Sequence, residues 1–180
     1  MLGGFFDRAS PETRKWAVGY LGRILRDAAG LDATTIERAK GLGEWRKTRL
    51  EFDAPEARRS EAEAFAWWAD SQKLDRHWRI ERFEFVLNLG ASPDPESVTY
   101  SGLADIANEY PLRAVHALRK YLELNRDGWG IHVARDEIRK ILRQALDGPD
   151  PAGVEAALDT LHWLGSLGFT EFRDLVRNPT

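Results

Sequence analysis

The sequence predicts an all-α chain of about four antiparallel helical hairpins stacked in a row, and three observations carry that reading. Apolar residues recur at i, i+3, i+4 and i+7 along most of the 180 residues. Helix-start signals recur at Pro11, Asp53 and Asp94, steps of 42 and 41 residues. No stretch sustains strand alternation, since Phe83-Glu84-Phe85-Val86-Leu87 alternates only inside a longer helical pattern. Stripe positions do not fix crossing angles, so a closed helical bundle is the alternative.

The first element follows a short apolar opening, Met1-Leu2-Gly3-Gly4-Phe5-Phe6, too short for an export signal and without a basic leader. It has no capping residue and reads as a helix or connection cut from something longer. Ser10-Pro11-Glu12 then supplies an N-cap, a first-position proline and a first-turn acid. The helix should run from Pro11 to about Ala28, with Ala17, Tyr20, Leu21, Ile24, Leu25 and Ala28 inward and Gly30 closing it. Asp32 caps a second helix to about Leu50, carrying Ile36, Ala39, Leu42 and either Trp45 or Arg46. Gly41 and Gly43 weaken that helix by about 1 kcal/mol each relative to alanine, unless they allow close packing.

Asp53-Ala54-Pro55-Glu56 repeats the opening punctuation and starts a third helix to about Asp70, with Ala62, Phe65, Trp68 and Ala69 inward. A fourth, from about Asp75 to Leu89, carries Trp78, Phe83, Val86 and Leu87 and ends at Gly90. Asp94-Pro95-Glu96 starts the fifth, which contributes Ile106, Ala107 and Tyr110. The sixth begins at Pro111 with Leu112, Val115, Leu118 and Leu122 in one stripe. A tight turn, Asn125 to Gly130, leads to a seventh helix with Ile131, Ala134, Ile138, Ile141, Leu142 and Ala145 inward. Gly148-Pro149-Asp150-Pro151 ends it and caps an eighth carrying Val154, Ala157, Leu158, Leu161 and Leu164. The chain thus reads as one domain over 1–180, with hairpins at about 11–51, 53–90, 94–124 and 129–168 and a short C-terminal helix at about 170–177 bearing Phe172 and Leu175.

The 41–42-residue spacing falls in the window of roughly 40–47 residues that HEAT-type repeats occupy, which refines the expectation to a HEAT-like α-solenoid. The segments Ala104 to Pro111, Gly128-Trp129-Gly130-Ile131, Arg135-Asp136-Glu137-Ile138, and Leu164-Gly165 through Phe169, Glu171, Phe172, Arg173, Asp174 and Leu175 resemble the C-terminal HEAT-like helical region of large bacterial multidomain proteins, some similar to defence-type NTPases. The resemblance covers the chain from about Pro11 onward and rests on packing, turn and capping residues. It implies an accessory or sensor module of a larger bacterial protein and brings no catalytic motif.

Composition agrees with a folded domain: 43% of residues are hydrophobic and the net charge is −3. There are 16 basic against 15 acidic residues up to Gly90, and 10 against 14 after it, so neither half has the footprint of a general nucleic-acid binder. The absence of cysteine excludes disulfides and thiolate zinc sites and fits the reducing cytoplasm. Arginine outnumbers lysine 20 to 6, which biased genomic composition explains better than phosphate or carboxylate recognition. No phosphate loop, dinucleotide fingerprint, serine elbow or zincin motif occurs, and the chain is expected to be non-enzymatic, without cofactor or metal and with no membrane segment.

Glu155, Asp159 and His162 share a helix face, but a di-iron bundle needs a second such motif and none exists, so they read as solvated surface. His132 with Asp136 and Asp127 reads as a local hydrogen bond at a helix start rather than an acid–base pair. Glu44, Glu51, Glu61 and Glu63 read as exposed helix charge.

The seven tryptophans are the unusual feature. Trp129, His132, Arg135, Trp67 and Trp78 are the candidate protein contacts, because tryptophan is enriched at interface hot spots, although packing between hairpins is the favoured role of the tryptophans. Arg76 and Arg79 beside Trp78 suit cation–π contacts. Arg46, Arg49, Arg58 and Arg59, with Lys47, Arg76, Arg79 and Arg82 near them in sequence, are the candidate nucleic-acid contacts of a helical-repeat binding module, the alternative to a protein-interaction or scaffold module.

Overall fold

The computed structural model describes residues 2–93, 96–125 and 128–177. Every regular element among them is helical, with no strand. The chain divides into two compact units, Met1–Thr99 and Tyr100–Thr180. No described helix is long and apolar enough to cross a membrane.

The first unit comprises α1 (Leu2–Phe6), α2 (Pro11–Asp27), α3 (Ala33–Leu50), α4 (Pro55–Glu63), α5 (Ala66–Ala69), α6 (Arg76–Asn88) and the start of α7 (Glu96–Ile106). The capping chemistry works as expected at three starts. Ser10 accepts from the Thr13 N–H at 3.3 Å, Asp32 from Thr35 at 2.7 Å and Asp75 from Trp78 at 2.8 Å. Gly30 and Gly90 have φ of 72° and 66°, the left-handed region that ends helices cheaply only with glycine. The apolar opening forms α1, whose Phe6 is buried and meets Trp45 edge-on at 6.0 Å.

Two expectations for this unit need correction. The third helix is broken: the N–H groups of Ala64 and Phe65 bond three residues back, to Glu61 and Ala62, rather than four. This tighter winding puts Phe65 and Trp68, three apart, together in the core. Its start is also different, since Ala54 is the cap and makes no side-chain bond, while Asp53 is drawn into ion pairs.

The second correction is the face of α2. Tyr20 and Ile24, expected inside, are exposed, and the buried face is Ala17, Val18, Gly19, Gly22 and Leu25. The cause is Trp68. A Cβ placed on Gly22 would lie 2.5 Å from Trp68 Cδ1, and one on Gly43 would lie 3.3 Å from both Trp68 Cζ3 and Trp78 Cζ2. Only a helix face without side chains can approach the indole this closely, so α2 turns its glycines inward and its larger residues outward. The Trp68 Nε1–H is satisfied by the Val18 carbonyl at 2.8 Å. α2 packs chiefly on α4 and α5, and α6 packs on the same pair. Gly43 therefore serves close packing, whereas Gly41 faces open space.

The second unit contains the rest of α7, α8 (Pro111–Leu124), α9 (Gly128–Val133), α10 (Arg135–Leu146), α11 (Pro151–Ser166), a 3-10 turn (Thr170–Phe172) and α12 (Asp174–Arg177). α8, α10 and α11 each pack against the other two. Val115, Leu118, Leu122, Ile131, Ala134, Ile138, Ile141, Leu142 and Ala145 are all buried, as their spacing requires. Val154, Leu158 and Leu112 are half-buried at the edges of their stripes. The expected seventh helix is two, α9 and α10, interrupted at Ala134. α11 ends at Gly168, φ 95°, where the Phe169 N–H returns to the Leu164 carbonyl at 3.0 Å. The start signal at Asp94-Pro95 and the turn residues Arg126 and Asp127 lie outside the described residues.

Candidate contact surfaces and a buried charge ring

Unit 1 brings four charges from separate places in the chain into a closed ring. Glu61 on α4 is 0% exposed, and its carboxylate receives Arg14 Nε of α2 at 3.0 Å and the guanidinium of Arg46 of α3 through both Nε and Nη2, the latter at 2.9 Å. Asp53 closes the ring, 2.5 Å from Arg46 Nη2 and 3.3 Å from Arg14 Nη2. Each carboxylate therefore touches both guanidiniums. Burial alone would push the Arg46 pKa down, but Glu61 and Asp53 outweigh it and hold the group above its ordinary value. Glu61 had been expected at the surface; the structure places it at the centre of the polar core.

This ring removes Arg46, 4% exposed, from any nucleic-acid surface. Arg58 is half-buried and donates to the backbone carbonyls of Glu51 and Asp53 at 2.9 and 3.1 Å. Arg49 and Arg59 alone of the four candidates face solvent. Arg79 and Arg82 are also buried. Arg79 Nε donates to the Ala69 carbonyl at 2.6 Å, and Arg82 lies 4.7 Å from the Trp78 ring centre and 3.0 Å from Glu44. Burial lowers the Arg82 pKa against the pull of Glu44 and Glu81. The arginine-rich half thus spends three of its cations, Arg46, Arg79 and Arg82, inside the protein.

Five of the seven tryptophans separate into three roles. Trp68 and Trp78 are core, and the Trp78 Nε1–H donates to Glu44, so Trp78 is not a contact residue. Trp67 is half-buried with the Arg26 and Arg23 guanidiniums over its ring at 4.5 and 5.6 Å, which occupies the face a partner would need. Trp16 and Trp129 stand in solvent, 61% and 75% exposed.

Trp129 sits in the first turn of α9 rather than on a glycine-freed loop. Ile131 and Ala134 anchor this helix in the core, while Trp129 and Val133, one turn apart, are both exposed. His132 and Arg135 are exposed beside them, and Arg135 Nε reaches Asp136 at 3.5 Å. The structure therefore brings Trp129, His132 and Arg135 onto one stretch of the surface of unit 2.

Sequence reasoning missed a larger surface on α2. Trp16 and Tyr20 stack with centroids 5.1 Å apart and planes 7° from parallel, and Ile24 follows one turn later, also exposed. Three successive turns of the helix thus present apolar side chains to water. The available signal was the opposite face: Val18, Gly19 and Gly22 recur at helical spacing and suit a close approach.

Glu155, Asp159 and His162 are exposed, as expected of solvated surface. No group of three His, Asp or Glu able to hold a metal occurs among the described residues. Compared with known proteins, the chain matches no family model, no curated protein and no solved structure.

Proposed function

We propose that the chain is a non-enzymatic helical interaction module, a scaffold or sensor part of a larger bacterial protein working in the cytoplasm, and that it grips a protein partner through the outward strip of α2. The strip of Trp16, Tyr20 and Ile24 carries this reading. A helix with two apolar faces uses one for its own core, and an exposed contiguous apolar face is the usual mark of an association surface. The aromatic pair is already stacked, so little conformational freedom is left to lose on binding. Trp129 and Val133 offer a second, smaller patch.

Packing within each unit supports a HEAT-like stack. In the first unit α2 meets α4 and α5, the leading helices of consecutive hairpins, and in the second α8 meets α11, the trailing helices of consecutive hairpins. The weak pairing of α2 with α3 is the feature that favours a closed bundle instead.

The test is site-specific photocrosslinking from position 20, followed by reconstitution with the captured protein. A discrete partner should bind the purified chain, and Trp16→Ala should weaken it by about 2 kcal/mol or more while leaving the melting curve in place. Tight oligonucleotide binding that falls steeply with salt would replace this reading with nucleic-acid recognition.

A further inference from the structure

In the second unit, α11 and the C-terminal segment border a half-open cavity of about 290 Å³. Its walls are Leu161 and Gly165 of α11 and Phe169 and Phe172 of the segment that turns back under it, with Phe172 and Leu161 forming a buried floor. At the mouth stand His162 and Arg173, both exposed and neither in an ion pair with an acid among the described residues. No carboxylate is among its described lining residues. The nearby acid Asp174 is engaged with Arg139 Nη1 at 2.6 Å, and the Arg139 guanidinium also donates to the Glu171 carbonyl.

The position of Gly165 gives the cavity its depth. A Cβ built there meets no atom within 4 Å, so this turn of α11 faces empty space rather than a neighbouring element. Gly165 is the penultimate residue of α11, and no neighbouring element fills the space beside it. The gap instead keeps an apolar slot open beneath a cationic rim. Its volume is near the small end of ligand-binding cavities.

We propose that this cavity binds a free medium-chain carboxylate, with the alkyl chain on Leu161, Gly165, Phe169 and Phe172 and the carboxylate paired with Arg173 beside His162. The chemistry selects this class. The walls reward burial of a hydrocarbon chain, and a guanidinium without an acid partner forms charge-assisted, two-pronged bonds to a carboxylate. An alkylamine would meet the wrong charge, and an alcohol would forgo the ion pair. The site is separate from the proposed protein contact on α2 and stands or falls without it.

The experiment titrates the purified chain with sodium octanoate, octanol and octylamine, following amide shifts by NMR. Octanoate should bind saturably and shift the amides of Gly165 and Phe172, and octanol and octylamine should bind roughly tenfold more weakly or worse. Gly165→Leu puts a side chain into the slot, with a Cβ that meets no protein atom, and should abolish binding while the circular dichroism spectrum is kept. Arg173→Gln, at an exposed position, should weaken octanoate by about tenfold and leave octanol unchanged. Absence of saturable octanoate binding, equal binding of octylamine, or undiminished binding by folded Gly165→Leu would each overturn the proposal.

Discussion

At the centre of unit 1, Trp68 lies between two glycines, Gly22 and Gly43, and four charges of alternating sign close on one another. The interior of unit 2 is filled by Leu118, Ile138, Ile141, Leu142 and Leu164, apolar residues in regular stripes. Both interiors are helical and both exclude water, yet they respond to different rules. Volume and periodicity decide the second, whereas the first also depends on pairwise charge matching and on the absence of side chains at particular positions. A helix surface can therefore be interior without looking hydrophobic.

The largest effect should separate the two kinds of core. Glu61→Ala leaves Arg14 and Arg46 sharing one partly exposed carboxylate, and removal of one partner from a buried pair costs about 3–5 kcal/mol. Ile138→Ala in the other unit should cost about 2–5 kcal/mol through its cavity alone. Urea unfolding measures both losses. Glu61→Ala with a curve superimposable on the parent would show that the charge ring contributes nothing to unit 1.

Gly22→Ala comes next. In an ordinary helix this change stabilises, but here the new methyl group meets the Trp68 ring edge, and overpacking should cost about 1–3 kcal/mol. The matching change at Gly165, where a Cβ meets nothing, should stabilise by about 0.5–1 kcal/mol. Opposite signs in the two melts sharpen the contrast between the units, and equal signs break it.

These cases show which parts of the chain could be read in advance. The inward residues of α8, α10 and α11 were legible because large apolar side chains mark a helix face directly. α2 was misread because glycine contributes nothing to such a pattern, although Gly19 and Gly22 are the residues that fix its orientation. Glu61 was misread because a buried glutamate and a solvated one have the same spacing, and its partners Arg14 and Arg46 lie 47 and 15 residues away. The breaks at Ala64 and Ala134 carry no proline or glycine, so tertiary packing alone places them. Of the candidate contacts, Trp129, His132 and Arg135 are at the surface as expected, while Trp78 and Arg46 are interior, Trp78 packed beside Trp68 and Arg46 paired with the buried Glu61.

A smaller effect concerns pH. Burial would raise the Asp75 pKa, but Lys40 at 2.6 Å and the Trp78 N–H at 2.8 Å hold it below the usual carboxylate range. A depressed folded value means that its stabilisation is complete above the range in which unfolded aspartate titrates, and is lost as pH falls through the folded value. Asp75→Ala should therefore cost about 1 kcal/mol at neutral pH, and the gap from the parent should close in acid. A gap that persists unchanged at low pH would mean that the cap acts without its charge.

The smallest effect is expected at the outward aromatics. Trp16→Ala and Trp129→Ala remove side chains that stand in water, so each should change stability by no more than about 0.5 kcal/mol. A loss of several kcal/mol in either melt would make that tryptophan a structural plug and withdraw its surface from consideration as a contact.

The charge ring also bears on how this protein can change over generations. In a cycle where every carboxylate touches both guanidiniums, no member can be replaced alone without stranding its neighbours. Exchange of all four together for well-packed apolar side chains is often neutral or even favourable in such cases. The ring is therefore a lock on mutational paths more than a source of strength. It lets α2, α3 and α4 be matched to one another by charge, so that a drifting sequence either keeps all four partners or crosses a valley to reach a core of another kind.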